Sequence, residues 1–295
     1  MKFGFVGLAG RPNAGKSTLI NALVKEKIAI VSNKPQTTRS EIRGIVNRDD
    51  AQIVFTDTPG IHKPKYRLDA RMNKEAGTVM HGVDVLYLVV DGSVPYSKGD
   101  QYVLRMVEQA NCPVFLLLNK IDKMPKEKVL RNLQSWNERY HFDEIFPISA
   151  LKGDDFEDLL KTTEQYLPEG DAMYPTEIVS DGAENFRIAE IIREKVLYCT
   201  EEEVPHATAV LVEKKEYRDN ECEIHAVILV EKQGQKGIII GNQGRMIKLI
   251  GSKARIDIEQ LIGCHVILHL FVRVEDDWRS RDSRITEYGY GYIDE

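Results

Sequence analysis

Residues 10–17 read GRPNAGKS, and this stretch decides the fold of the first half of the chain. It matches the pattern GxxxxGK followed by Ser or Thr, it follows the apolar run 3–8, and it opens a helix-like stretch. Glycines let backbone N–H groups close around phosphates, and the helix start adds partial positive charge. We predict that the motif and the residue after it bind the nucleotide, through Gly10, Arg11, Pro12, Asn13, Ala14, Gly15, Lys16, Ser17 and Thr18.

Apolar runs alternate with amphipathic stretches of helix length throughout the first 170 residues. The runs are 3–8, 53–56, 83–90, 114–118 and 145–148. Near-continuous apolar strands separated by helices indicate a buried, mainly parallel sheet with helices on both faces. We therefore predict an α/β domain over residues 1–170.

The segment Asn119-Lys120-Ile121-Asp122 follows an apolar run and resembles the base-reading NKxD element of GTPases. The aspartate carboxylate in that element accepts hydrogen bonds from two N–H donors on the guanine edge. Adenine would leave the carboxylate unpaired, which is costly for a buried polar group. Ser149-Ala150-Leu151 resembles the last GTPase element, where backbone N–H groups meet the guanine oxygen. A guanine nucleotide is the ligand that these segments predict.

Two segments between these motifs are candidates for switch elements. Asp57-Thr58-Pro59-Gly60 resembles the DxxG element, in which the aspartate holds Mg²⁺ through water and the glycine N–H senses the γ-phosphate. The polar loop 34–39, KPQTTR, is suited to ordering around Mg²⁺ and phosphate. We expect Mg²⁺ at Ser17, Thr38 and Asp57, with Thr37 as the second choice of threonine, and GTP turnover by Lys16, Thr38, Gly60 and Asn13.

Ile61 stands where Ras-like enzymes carry a glutamine that positions the attacking water. Slow intrinsic turnover is the expected consequence. Asn13 matches an asparagine that in some related families helps bind K⁺ beside the phosphates. Asparagine is also a common turn former, so both interpretations of Asn13 stay open.

The second half of the chain has a different organisation. Residues 171–184 are rich in proline, glycine and acids, as expected of a linker. A helix is expected over 185–198, strands over 207–215 and 222–231, a glycine-bearing loop, a helix over 244–262 and a strand over 265–274. This order predicts a small α+β domain over 185–285, followed by a tail, 286–295, with Tyr288, Tyr290 and Tyr292 and no assigned role.

Gly241-Asn242-Gln243-Gly244 is a GxxG loop between an apolar run and a helix, the arrangement with which KH domains clamp an RNA backbone. Ile238, Ile239 and Ile240 are expected partly to line the base groove. Residues 232–256 hold six basic side chains and no acidic one. We therefore predict RNA contacts from Gly241, Asn242, Gln243, Gly244, Arg245 and Lys248.

Overall charge limits how nucleic acid can be bound. A formal net charge of −6 argues against binding over the whole surface, so an RNA site requires a local basic patch. The four cysteines form no CxxC pair and indicate neither a zinc site nor a disulfide framework. Uncharged apolar stretches are too short for a membrane span, and reduced cysteines fit the cytoplasm.

The continuous text DTPGIHKPKYRLDARMNKEA (57–76), the loop KPQTTR and the GxxG domain resemble the bacterial Era family over nearly the whole chain. The resemblance implies a P-loop GTPase domain joined to a type II KH domain that binds the 3′ end of 16S ribosomal RNA during 30S subunit biogenesis. It further implies GTP or GDP with Mg²⁺, a monomer and a cytoplasmic protein. Peripheral contact with the inner membrane face occurs in that family, although this sequence shows no amphipathic anchor that would predict it. K⁺ belongs only to the cation-binding interpretation of Asn13.

Three other functions are weighed against this one. A tRNA-modifying GTPase would end in a CxGK motif, whereas this chain ends in YGYGYIDE. A tandem ribosome-assembly GTPase would carry two P-loops, and the sequence holds one. A GDP-bound platform without turnover is the non-enzymatic alternative, and multiple-turnover phosphate release would exclude it.

Overall fold

The computed structural model describes residues 1–153 and 156–290. The chain divides into two compact units. The first comprises Met1–Val31, Thr38–Lys65 and Asp69–Asp181, and the second comprises Ser32–Thr37, Tyr66–Leu68 and the chain from Gly182 onward. The boundaries 1–170, 171–184, 185–285 and 286–295 stay a prediction.

The first unit is an α/β sandwich built on a six-stranded sheet of order β2-β3-β1-β4-β5-β6. All neighbouring strands are parallel except β2, which runs antiparallel to β3. The predicted fold class is therefore confirmed. The elements are β1 (Lys2–Ala9), α1 (Lys16–Val24), β2 (Ile42–Asn47), β3 (Ala51–Asp57), α2 (Arg67–His81), β4 (Val85–Asp91), α3 (Lys98–Val107), β5 (Val114–Asn119), α4 (Lys126–Asn137), β6 (Glu144–Pro147) and α5 (Glu157–Tyr166).

The central strands are buried because helices cover both faces of a parallel sheet. Every residue of β3 and β5 is buried. Strand β2 was not predicted, because its sequence IRGIVN contains a glycine and an arginine and lacks the continuous apolar run of the other strands. It lies at the edge of the sheet, where such a sequence is tolerated.

The second unit is an α+β fold around a three-stranded sheet of order β7-β8-β9. Strand β7 is antiparallel to β8, and β8 is parallel to β9. Side chains from three helices and one face of the sheet form a single apolar core, with Ile192, Ile224 and Ile258 fully buried in it. The elements are α6 (Glu184–Cys199), β7 (Ala209–Arg218), β8 (Glu221–Val230), α7 (Gln233–Ile240), α8 (Arg245–Ile262), β9 (His265–Val274) and α9 (Asp282–Glu287).

Helix α7 corrects one expectation, since a glycine-bearing loop was predicted before the GxxG segment. Gly234 and Gly237 lower the intrinsic helix propensity of this stretch. The side chain of Gln235 compensates by accepting the backbone N–H groups of Glu231 and Lys232 at 2.9 and 3.0 Å. Burial of Ile239 in the core then fixes the helix to the sheet.

The end of the chain differs from the expected tail. Helix α9 runs across position 286, and Tyr288 and Tyr290 are buried. Their rings lie 5.7 and 5.9 Å from that of Trp278, which is itself fully buried and donates to the carbonyl of Ala207 at 2.9 Å. These tyrosines belong to an aromatic cluster of the second unit. Tyr292 lies outside the described residues.

Among the described residues, no helix combines the length and the apolar character that crossing a bilayer requires.

Candidate functional site

The predicted nucleotide motifs meet at one edge of the six-stranded sheet. The P-loop follows β1, Asp57 and Asn119 end β3 and β5, and the segment from Ser149 follows β6. The carboxyl ends of parallel strands form the usual ligand site of an open α/β sheet. Sequence motifs that are up to 140 residues apart are therefore brought together.

Lys16 is the first residue of α1, and its side chain folds back over the P-loop. Its Nζ donates to the carbonyls of Gly10 and Arg11 at 3.2 and 3.3 Å. Burial lowers the pKa of Lys16, and the neighbouring Asp57 carboxylate opposes this. The buried Lys16 ammonium group has lost part of its contact with water, and an anionic ligand would compensate for that loss. Asn13 has φ 62°, a left-handed conformation that asparagine adopts more readily than most residues.

Asn119 ties three predicted segments together. Its Nδ2 donates to the carbonyl of Ala14 at 2.8 Å, and its Oδ1 accepts the backbone N–H groups of Lys120 at 2.7 Å and Ala150 at 3.0 Å. The P-loop, the NKID segment and the segment from Ser149 are therefore fixed by one buried amide.

The other members of the base-reading motif are also held in place. Ser149 Oγ donates to Asp122 Oδ1 at 2.7 Å, which orients the carboxylate. Lys120 Nζ donates to the carbonyl of Asn13 at 2.7 Å and to Asp91 Oδ2 at 2.6 Å. Sequence reasoning missed Asp91. This residue ends β4, just as Asp57 ends β3 and Asn119 ends β5. Leu151 is 75% exposed, so its side chain contributes little to the site.

Three oxygen-bearing side chains converge beside Lys16. Ser17 Oγ lies 2.7 Å from Thr38 Oγ1 and donates to Asp57 Oδ2 at 2.6 Å, and Thr38 Oγ1 donates to the same carboxylate oxygen at 3.2 Å. Asp57 is fully buried, and among the described residues its Oδ1 has no hydrogen-bond partner. Burial raises the pKa of Asp57, while Lys16 and the two hydroxyls lower it. An unpartnered buried carboxylate oxygen among hydroxyls fits Mg²⁺, which takes oxygen ligands.

The structure distinguishes the two threonines of the 34–39 loop. Thr38 carries the hydroxyl at Asp57, whereas the Thr37 hydroxyl donates to the carbonyl of Lys34 at 2.7 Å and lies 2.6 Å from Ser32 Oγ. Thr37 therefore closes a local turn. Its carbonyl accepts a hydrogen bond from Arg193 in α6, a buried residue of the second unit that no sequence motif marks.

The DxxG segment lies against the P-loop. A Cβ at Gly60 would approach Pro12 Cα to 2.7 Å, so only glycine fits there. Thr58 Oγ1 donates to the carbonyl of Leu8 at 2.7 Å, and Ile61 N–H donates to the carbonyl of Gly10 at 3.1 Å. The Ile61 side chain is 1% exposed and packs within the apolar core. Pro59, between Thr58 and Gly60, is buried in the same segment.

The GxxG segment of the second unit forms a tight turn between α7 and α8. Gly241, Gln243 and Gly244 have φ of 70°, 51° and 74°, and a Cβ at Gly241 would lie 2.9 Å from the backbone nitrogen of Met246. Asn242 and Gln243 are exposed, as are Arg245 and Lys248 in the first turns of α8. The turn therefore presents backbone and polar side chains to solvent at a helix N-terminus, which favours phosphate.

The expectation for the three isoleucines before this turn needs correction. Ile238 is 52% exposed, but Ile239 is fully buried in the core, and Ile240 is half-buried. They belong to a helix, in which successive side chains point in different directions, so the three cannot line one groove together.

The basic stretch is also divided by the fold. Arg255 forms an ion pair with Glu259 at 3.0 Å, and Lys253 lies over the Tyr198 ring at 5.2 Å from its centroid. Arg245 and Lys248, beside the GxxG turn, are the basic residues placed to meet a bound backbone.

Comparisons with known proteins agree with this architecture. A family model described as "50S ribosome-binding GTPase" matches residues 5–120, and a KH domain model matches residues 203–279. The chain is 38% identical to a variant of Era from Aquifex aeolicus solved with GDP and aluminium fluoride, with TM-score 0.95, covering 99% of this chain and 100% of the other. It is equally 38% identical to Era solved with MgGDPNP and nucleotides 1506–1542 of 16S ribosomal RNA, with TM-score 0.96 and the same coverage.

The identity extends over nearly the full length of both chains. It therefore includes both the GTPase fold, in which the nucleotide motifs converge, and the KH domain with its exposed GxxG turn. The chain therefore belongs to the Era family of GTPases.

Proposed function

We propose that this protein binds GTP with Mg²⁺ at the carboxyl edge of the six-stranded sheet, hydrolyses it, and binds the 3′ end of 16S ribosomal RNA through the GxxG turn. The observation that carries the proposal is the convergence of Ser17, Thr38 and Asp57 around a buried carboxylate with an unpartnered oxygen. Asn119 and Asp122 lie at the same sheet edge, and they supply the guanine-reading side.

Each residue has a separate task in this mechanism. Ser17, Thr38 and Asp57 would hold Mg²⁺, and the bound ion would neutralise the charge that develops on the phosphate. The Lys16 ammonium and the Gly60 N–H hold the γ-phosphoryl oxygens in position. Because Ile61 is buried and carries no polar group, no side chain at that position orients the attacking water, and intrinsic turnover is slow.

Asn13 has two candidate roles, as a turn-forming residue and as a K⁺ ligand, and a GTP hydrolysis assay in two salts distinguishes them. Its left-handed backbone conformation accounts for asparagine at the turn without a cation. If its side chain also holds K⁺, then hydrolysis is faster in KCl than in NaCl, and Asn13→Gly, which keeps the backbone conformation, abolishes the difference.

The nucleotide can influence the RNA-binding unit through the 32–37 segment. Thr37, whose carbonyl accepts from Arg193, directly precedes Thr38, whose hydroxyl lies at the proposed Mg²⁺ site. Ordering of Thr38 by GTP and Mg²⁺ therefore acts on a backbone that the second unit holds. We propose that GTP-loaded protein binds RNA more tightly than GDP-loaded protein.

The cellular setting follows from the RNA. A protein that binds 16S ribosomal RNA and assists 30S subunit biogenesis works in the cytoplasm. Monomeric state and peripheral contact with the inner membrane face complete the proposal, and these two rest on the family resemblance alone. Sedimentation of the purified protein and flotation with vesicles test them directly.

The decisive experiment is a binding titration with labelled RNA spanning nucleotides 1506–1542 of 16S ribosomal RNA. The protein is loaded with a non-hydrolysable GTP analogue, loaded with GDP, or freed of nucleotide, and phosphate release is measured in parallel under multiple turnover. The proposal expects tighter binding in the GTP-analogue state and continuous phosphate release.

Two isosteric substitutions test the RNA site without strain. Asn242→Asp with Gln243→Glu adds two negative charges at exposed positions, and should weaken RNA binding about tenfold or more by repelling the phosphate backbone. The matched control is Asn220→Asp with Gln260→Glu, which adds the same charge at exposed positions away from the GxxG turn. Equal loss in both variants would mean a general charge effect. Equal RNA affinity in all three nucleotide states would show that the nucleotide does not control RNA binding. Absence of multiple-turnover phosphate release would favour the alternative of a GDP-bound platform without GTP hydrolysis.

A further inference from the structure

The outer face of the three-stranded sheet carries an unusual set of side chains for a solvent-facing surface. Along β8, alternate residues point into the apolar core and the others point away from it. Glu223 and His225 are two residues apart along β8, and both point away from the core. The parallel register places His269 of β9 directly beside His225.

The three side chains converge on one point. The His225 and His269 rings are stacked with centroids 4.5 Å apart and planes inclined by 25°. His225 Nε2 lies 3.1 Å from Glu223 Oε1, and His269 Nε2 lies 3.3 Å from the same oxygen. All three potential ligand atoms lie within 4.8 Å of one another.

These spacings match a tetrahedral zinc site. Zinc bonds to imidazole nitrogen and carboxylate oxygen are about 2.0–2.2 Å long, which puts neighbouring ligand atoms of a tetrahedron roughly 3.3 Å apart. Both nitrogen-to-oxygen distances are at that value already. Two imidazoles and one carboxylate select a transition metal over Mg²⁺ or Ca²⁺, and three protein ligands leave the fourth position for water.

The surrounding charges leave the converging oxygen free to act as a ligand. Arg218 Nη1 approaches the other carboxylate oxygen, Glu223 Oε2, at 3.7 Å, and so supports the orientation of Oε1 toward the rings. Lys214, which faces His225 across the β7–β8 pair, forms its own ion pair with Glu216 at 2.8 Å. All three candidate ligands are half-buried, which leaves them accessible to an ion from solvent.

We propose that Glu223, His225 and His269 form a zinc-binding site that cross-links β8 and β9 on the outer face of the KH sheet. The site is independent of the nucleotide site and of the GxxG turn. Without metal, His225 Nε2 forms a hydrogen bond with Glu223 Oε1 at 3.1 Å, and His269 Nε2 lies 3.3 Å from the same oxygen. The bound ion replaces them with coordinate bonds and raises the stability of the second unit.

The test is a zinc titration of the full-length protein by calorimetry, in saturating MgGDP so that the nucleotide site is occupied. The expected result is one zinc ion per chain, with affinity reduced at least tenfold by His225→Ala and by His269→Ala. His265→Ala is the matched control, since His265 lies on the same strand, pairs with Glu259 and should leave zinc affinity unchanged. Co²⁺ titration adds the visible absorption bands of tetrahedral coordination.

A second variant guards against misfolding of the alanine variants. Glu223→Gln keeps the size of the side chain and removes the anionic ligand, so zinc affinity should fall while circular dichroism stays unchanged. Zinc affinity that is the same in the wild type and the three ligand variants would overturn the proposal, as would the absence of stoichiometric binding to the wild type.

Discussion

Glu75 provides the most direct test of the energetics of the first unit. This carboxyl is 6% exposed, and its Oε1 accepts the backbone N–H of Glu41 at 2.6 Å. Its Oε2 is buried and has no hydrogen-bond partner within residues 1–153 and 156–290. Burial raises the pKa of Glu75 from its ordinary 4.5 to about 7, and the like charge of Glu41 adds to this. Folding therefore favours the protonated form of Glu75.

The raised pKa makes stability depend on pH in a defined direction. The folded state binds the proton more tightly, so the contribution of Glu75 is complete below pH 4.5 and is lost as pH rises through about 7. Between pH 5 and pH 8 the loss amounts to about 2.5 kcal/mol. Glu75→Gln keeps the shape of the protonated side chain and cannot ionise, so it removes this part of the pH dependence.

The two tryptophans allow each unit to be followed separately. Trp136 lies in the first unit and Trp278 in the second, and the sequence contains no other tryptophan. With 5-fluorotryptophan, urea unfolding is monitored for each residue by fluorine NMR at pH 5 and pH 8, at fixed MgGDP. The Trp136 transition should lose about 2.5 kcal/mol of pH dependence in Glu75→Gln, with the Trp278 transition unchanged.

Glu108→Gln, which alters the exposed glutamate that directly follows α3, is the matched control. If the Trp136 transition of Glu75→Gln depends on pH as steeply as that of the wild type, then Glu75 ionises near its ordinary pKa and the burial argument is wrong.

Two further predictions concern the base-reading site and the GxxG turn. Asp122→Asn replaces a group with two hydrogen-bond acceptors by one with an acceptor and a donor. GDP affinity should therefore fall about 100-fold while affinity for xanthosine diphosphate rises, as measured by calorimetry with both nucleotides. An unchanged preference for GDP would mean that Asp122 does not contact the base. Gly241→Ala should destabilise the second unit by about 2 kcal/mol or more in the Trp278 transition, because φ is 70° and the new Cβ would meet Met246. The control is Gly263→Ala, where φ is 75° and the described residues place no atom within 4 Å of the new Cβ, so unfolding free energy should fall by only about 1 kcal/mol. An equal loss of unfolding free energy in both variants would show that the contact with Met246 costs nothing.

Much of the nucleotide site could be predicted from sequence because its chemistry lies in short continuous segments. The P-loop and the NKID segment each contain their functional groups within eight residues, and each is preceded by an apolar run that marks a strand. Parallel strands then bring such segments to one edge of the sheet. Thr38 was selected ahead of Thr37 from sequence, and the structure places its hydroxyl at Asp57.

Elements with weak local signals were missed. Helix α7 has two glycines in eight residues and is held by the Gln235 cap and by the burial of Ile239. Strand β2 gains its ladder from β3, and its own sequence is not typical of a strand. In both cases tertiary contacts override local propensity.

The amino-acid sequence by itself determined the ligand class, because phosphate and guanine recognition depends on residues that are adjacent along the chain. Only the tertiary structure decided which distant side chains meet. The approach of Glu75 to the Glu41 backbone and the convergence of Glu223, His225 and His269 depend on packing and on the register of β8 against β9. A shift of that register by one residue would turn His269 to the opposite face of the sheet, so no local pattern could have revealed the cluster.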